Sequence, residues 1–168
     1  MHSTEILTLL AEVFVAFAGF TGIVAVLGQR STGHWRSVDV VRFQSLLEAS
    51  LSGLMLAVLP LLALEFGFSE TVIWASGSAV LGIYVASLMI RVVRKQKALR
   101  AADDPDYLPG VRLMLLILSA IVIITQLMNA VGYGLHHAFA GYFVGLILLL
   151  FLCSVMFVLL LRFIRAPT

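Results

Sequence analysis

This 168-residue chain carries one cysteine, one asparagine and only 12% charged residues. Each scarcity excludes something. A lone Cys153 supplies neither a disulfide framework nor a thiolate metal set, and lying in an apolar stretch it reads as a small buried hydrophobe. Asn129 is not followed by the Ser/Thr acceptor pattern, so no N-glycosylation site exists, which fits a bacterial inner membrane. Soluble domains carry about 25% charge. With 61% hydrophobic residues and a mean hydropathy of +1.08, a soluble enzyme is excluded.

Enzyme signatures are missing as well. There is no H-E-x-x-H, G-x-S-x-G, Walker A or G-x-G-x-x-G sequence. His136 and His137 are adjacent and on a helix point about 100° apart, while His2 and His34 belong to other segments. The chain is therefore expected to be no enzyme, to hold no metal and to need no cofactor. A pI near 9.0 raises nucleic acid as a partner, but topology accounts for every basic residue and no basic stripe interleaved with aromatics remains.

What the chain does have is five apolar runs, roughly residues 6–28, 44–66, 71–90, 113–133 and 139–161, each near the ~20 residues that cross a ~30 Å hydrocarbon core. The eleven Lys and Arg residues sit only at alternate joints between them. Arg30, Arg36 and Arg42 follow the first run; Arg91, Arg94, Lys95, Lys97, Arg100 and Arg112 separate the third and fourth; Arg162 and Arg165 close the chain. The positive-inside bias then sets the N-terminus outside and the C-terminus in the cytoplasm. The expectation is an all-α integral membrane protein, one domain over 1–168, with helices at about 6–28, 44–66, 71–97, 110–134 and 139–163. A lone helix is followed by two helical hairpins with tight outer turns near 66–70 and 135–138. Helix one should be retained rather than cleaved, because the first residues lack Lys and Arg and Glu12 interrupts the apolar stretch. Trp35, Trp74, Tyr107 and Tyr142 fall near the predicted water boundaries, where interfacial aromatics collect. Helix three should run past the bilayer as a basic extension that Asp103, Asp104 and Pro105 terminate. Pro60 should kink helix two.

An ionisable side chain inside a membrane span is a functional candidate, because it costs roughly 2.5 kcal/mol or more at the helix centre. Glu12 and Glu48 qualify. On helix one, Glu5, Thr8, Ala11, Glu12, Ala16, Ala18, Gly19, Gly22 and Ala25 share one half of the cylinder, and Leu9, Leu10, Val13, Phe14, Phe17 and Phe20 the other. The small half suits close contact with other helices, or a lumen. Glu12 lies seven residues, about 10 Å, below Glu5. On helix four, Ser119, Val122, Gln126, Asn129, Tyr133 and His136 form one stripe whose last four members are polar and reach the depth of Glu12. Such groups beside a buried carboxyl coordinate a cation, relay protons, or satisfy one another between helices. For Glu48, a hairpin turning near 68 brings Arg91 within a turn and predicts a structural ion pair. Gly82 within a small-residue stripe on helix three, and a G-x-x-x-G at Gly141 and Gly145 facing Met128 and Gly132, mark close helix approach.

Together these features suggest a small homo-oligomer in the bacterial inner membrane. Its partners are the lipid bilayer, further copies of itself, and monovalent cations or protons. Glu5, Thr8, Glu12, Gln126, Asn129 and Tyr133 are the residues of a conduction pathway with an acidic outer half. The competing expectation is a non-conducting scaffold, accessory or sensor subunit, in which the same residues only hold helices together.

Overall fold

The computed structural model describes the backbone of residues 2–32, 37–101, 109–134, 136 and 138–164, with side chains for 3–26, 40–94, 110, 113–134, 136 and 138–161. Trp35, Tyr107, His34, His137, Arg36, Arg165 and the Asp103–Asp106 stop signal lie outside the described residues. The described chain is all-helical: α1 His2–Thr32, α2 Ser37–Glu65, α3 Glu70–Ala101, α4 Pro109–Val131 and α5 Phe139–Ile164. Each contains a stretch long and apolar enough to cross a membrane, and five such helices suggest a multi-pass integral membrane protein. Most helices outrun their apolar runs because the polar flanks continue the helix into the interface. The 32 residues of α3 measure roughly 48 Å, well beyond a ~30 Å core. Pro109 opens α4, where a missing N–H leaves nothing unpaired.

Glycine stops both tight turns. After α2, Gly67 (φ 76°) donates to the Leu64 carbonyl and Phe68 to that of Ala63; after α4, Gly132 (φ 77°) donates to Asn129 and Tyr133 to Met128. These are paired Schellman closures, which need a left-handed residue and so favour glycine. The second one ends α4 at Val131, three residues before the expected limit of 134. It also shifts the register of the last hairpin. Gly141 faces Asn129 and Gly145 faces Gln126, instead of Gly132 and Met128.

The pairings of Ser78 with Asn129 and Gly82 with Gln126, and of Ala138 with Asn129 and Gly141 with Gln126, run α4 antiparallel to both α3 and α5. The α2, α3, α4 and α5 helices surround one core that includes Leu46, Leu81, Val85, Val122, Leu146 and Leu149, all at most 1% exposed. Helix α1 packs against α2 and α5 and adds Leu7, Leu10, Phe14 and Val24 to the same core. The outer turns join α2 to α3 and α4 to α5, yet the most extensive packing is across the longer connections, α1 with α2 and α3 with α4. Small residues explain it. The Phe14 ring of α1 sits directly over Gly53 of α2, and the Gln126 Cβ of α4 lies 3.3 Å from where a Cβ on Gly82 of α3 would stand.

Two expectations are corrected here. Helix one was expected to offer its small half to other helices or to a lumen, but the side it packs with is mainly the bulky one: Leu10 and Phe14 are buried, while of the small half only Ala11 is buried, because α2 brings the small partner, Gly53. Trp74 and Tyr142 are not interfacial aromatics: they are 3% and 0% exposed. Trp74 meets Phe139 at 5.0 Å and Tyr142 at 6.0 Å between ring centroids, and the Tyr142 ring covers Gly77. The depth of an aromatic near a helix end does not reveal whether it faces lipid or core.

Candidate functional site

The polar residues divide into three separate groups. The first lies on α4. Asn129 is fully buried; its Nδ2 donates to Ser78 Oγ of α3 at 2.7 Å and to the Ala138 carbonyl at 3.1 Å, while its Oδ1 accepts the Ala138 N–H at 3.0 Å. One amide thus joins α3 and α4 to the residue that precedes α5, and its oxygen takes up the Ala138 N–H, a donor that the start of a helix leaves without an intrahelical partner. One turn away, Gln126 Nε2 donates to the Gly141 carbonyl at 2.8 Å. Gly141 and Gly145 are required because these amides lie against them: a Cβ on Gly141 would stand 2.6 Å from Asn129 Cγ, and one on Gly145 would collide with the Gln126 amide. Gln126 Oε1 and Trp74 Nε1 are buried without a hydrogen-bond partner among the described residues. Tyr133, in the turn, is 73% exposed, and His136 is exposed with a left-handed backbone (φ 49°).

The second group links α2 to its neighbours. Arg91 and Glu48 form an ion pair, with side chains 48% and 42% exposed, and Tyr84 donates to the Glu48 carbonyl at 3.2 Å. Deeper in the bundle, the hydroxyl of Tyr142 on α5 donates to the Leu56 carbonyl. The reason is Pro60. Proline has no N–H, so the carbonyl four residues earlier loses its intrahelical donor. That carbonyl belongs to Leu56, and in a membrane interior an unpaired one costs several kcal/mol by order of magnitude. The sequence signalled the vacancy through Pro60, but nothing in it singled out Tyr142 as the donor.

The third group is on α1. Glu5, Thr8, Glu12, Gly19 and Gly22 are all exposed, and a Cβ added at Gly19 or Gly22 would meet nothing within 4 Å. The Thr8 hydroxyl bonds the Thr4 carbonyl of its own helix at 3.0 Å. Since α1 and α4 do not pack together among the described residues, Glu12 does not share a site with Gln126, Asn129 or Tyr133 within one chain. Equal depth put them together in the sequence; the arrangement of α1 around the bundle separates them. Most other hydroxyls in the spans are also turned back on their own helices, such as Thr21 to Phe17 at 2.6 Å and Thr125 to Ile121 at 2.9 Å. Among the described residues no three His, Cys, Asp or Glu side chains gather. The resulting arrangement is a bundle whose helices are joined by buried polar bonds, with Gln126 Oε1 and Trp74 Nε1 left open, and whose α1 carries an exposed face with two carboxyls. Comparison with protein-family models, with curated proteins and with solved structures finds no match for the chain.

Proposed function

We propose that the protein is a homo-oligomer of the bacterial inner membrane in which the α1 faces converge on a symmetry axis and line a pathway for monovalent cations or protons. The observation that carries this reading is the exposed face of α1, where Glu5, Thr8, Glu12, Gly19 and Gly22 all lie exposed and a Cβ at Gly19 or Gly22 meets nothing within 4 Å among the described residues. Toward lipid, a carboxyl at the depth of Glu12 costs roughly 2.5 kcal/mol or more, so this face favours another surface or water over hydrocarbon. Gly19 and Gly22 permit close approach of backbones. Converging copies set Glu5 and Glu12 in two acidic rings, which concentrate cations as charged rings in channels do. The one-sided basic residues support an orientation with these rings toward the outside and the C-terminus in the cytoplasm.

A second reading has its own support. Gln126 and Asn129 are engaged in holding α5, and that use favours a scaffold, accessory or sensor subunit whose polar groups serve assembly. Flux measurements in proteoliposomes separate the two. Under the pathway reading, Glu12→Gln lowers cation or proton flux while expression, oligomeric state and thermal stability stay unchanged. Wild-type protein that assembles yet passes neither ion over a range of pH and voltage decides for the scaffold. Reporters fused after Thr168 and before Met1 test the orientation, with cytoplasmic and external readings expected.

A further inference from the structure

A cavity of about 50 Å³ lies between α2, α3, α4 and α5, in the half of the bundle that contains the Glu48–Arg91 pair. No residue of α1 lines it, so it stands apart from the face proposed for the pathway. Leu46, Ala49, Leu152 and Cys153 are buried in its wall, and Met89, Val92, Leu116 and Met156 are half-buried at its rim. Two further residues distinguish it from ordinary packing space. Ser45 on α2 and Ser119 on α4 line the cavity, are each 8% exposed, and make no hydrogen bond among the described residues. Other hydroxyls in the spans turn back on the carbonyl four residues earlier, as those of Thr21, Ser50, Thr125 and Ser154 do. Ser45 and Ser119 forgo that partner. Each leaves an open hydroxyl in an apolar wall, a costly arrangement that an incoming oxygen relieves.

The lining also limits what that oxygen belongs to. No Asp, Glu, Lys, Arg or His lines the cavity, so an ion would enter it without a counter-charge. Nine of the twelve lining side chains are apolar, so water filling the space would face mostly groups that it cannot bond. A cavity that admits benzene measures about 150 Å³, which excludes a ring from this smaller space and leaves room for a few atoms of a chain. We propose that the cavity binds the oxygen-bearing end of a neutral, unbranched lipid chain, an alcohol or an acyl ester. Ser45 and Ser119 bond its oxygen, and the remaining carbons pass the rim into the bilayer.

The test uses purified full-length protein in phosphatidylcholine nanodiscs and two photoreactive probes, octanol and octane carrying the same diazirine, with labelled residues mapped by peptide mass spectrometry. The alcohol should label the cavity residues saturably and at lower concentration than the alkane. Labelling of the exposed Ile117 and Phe151 should instead rise in proportion to probe. Ser45→Ala combined with Ser119→Ala keeps the apolar wall; it should raise the half-saturating concentration of the alcohol about fivefold, the worth of one hydrogen bond, and leave the alkane unchanged. Displacement by dodecanol or by methyl laurate then tells an alcohol site from an ester site. Cavity labelling no greater than that of Ile117 and Phe151, equal saturation by alcohol and alkane, an alcohol preference that survives both serine substitutions, or displacement by neither competitor overturns the proposal.

Discussion

Replacing Tyr142 by Phe removes one oxygen and leaves the ring, with its contacts to Gly77 and Trp74, where it was. The change strips the Leu56 carbonyl of its donor, and with Pro60 at position 60 no backbone N–H takes over. Leaving a buried acceptor unpaired costs about 1–3 kcal/mol in proteins generally, whereas single interhelical hydrogen bonds in membranes average about 0.6 and reach about 1.7 kcal/mol. The buried position and the backbone acceptor put Tyr142→Phe near the upper part of the membrane range, about 1–1.5 kcal/mol. Unfolding in mixed micelles of dodecyl maltoside and sodium dodecyl sulfate reads it, using Trp74 emission in a Trp35→Phe background, because Trp74 contacts both Tyr142 and Phe139. The decisive comparison is a double-mutant cycle. In Pro60→Ala the restored N–H reaches the Leu56 carbonyl, so Tyr142→Phe should there cost about 0.5 kcal/mol or less. An equal cost in both backgrounds would show that the hydroxyl does not compensate for the proline, and the argument would fall.

Four further outcomes follow from the packing. Gly145→Ala should destabilise the fold by about 1–3 kcal/mol in the same assay, since the added methyl meets the Gln126 amide and Leu81. Gly19→Ala should leave monomer stability unchanged and weaken only self-association, measured by cross-linking or native mass spectrometry; loss of monomer stability would show that α1 packs differently. Asn129→Ala should cost about 1–3 kcal/mol and speed amide exchange at the first turn of α5, because the Ala138 N–H loses its acceptor, while its carbonyl keeps the Gly141 and Tyr142 donors; unchanged exchange would refute that anchoring role. For Glu48 and Arg91, the exposure of both side chains lowers the expected coupling in a Gln double-mutant cycle to about 0.2–1 kcal/mol, and strict additivity would show that the pair contributes nothing.

How much of this was legible in the chain depended on the kind of signal. Spans were legible because the hydrocarbon core imposes a length, and the five runs match the five helices to within their polar flanks. The Glu48–Arg91 neighbourhood was legible too, since a tight turn fixes the register of an antiparallel pair by counting. The same counting misplaced the partners of Gly141 and Gly145 by three and two residues. It took the turn centre from where the apolar run faded and not from Gly132, whose left-handed conformation closes α4 early. Lateral arrangement left no trace at all. The stripe on α4 predicted that Gln126 and Asn129 share a face, but not that the face meets α3 and α5 instead of the Glu12 helix. In an apolar chain both lipid and protein accept leucine, so hydrophobic periodicity does not reveal which side of a helix is inside.

The bonds of α5 also imply an order of assembly. Three polar groups on earlier helices find partners at that helix or at the residue just before it: the Asn129 amide at Ala138, the Gln126 amide at Gly141, and the Leu56 carbonyl at the Tyr142 hydroxyl. Until α5 docks, α2 and α4 hold these groups in hydrocarbon without those partners, where a membrane offers little apolar driving force to bring helices together. The fifth helix, synthesised after the other four, is therefore the one that completes their polar bonds. A chain whose fifth helix has inserted but not seated displays two amides and a bare carbonyl to the bilayer, and is the species a membrane quality-control protease has chemical grounds to recognise.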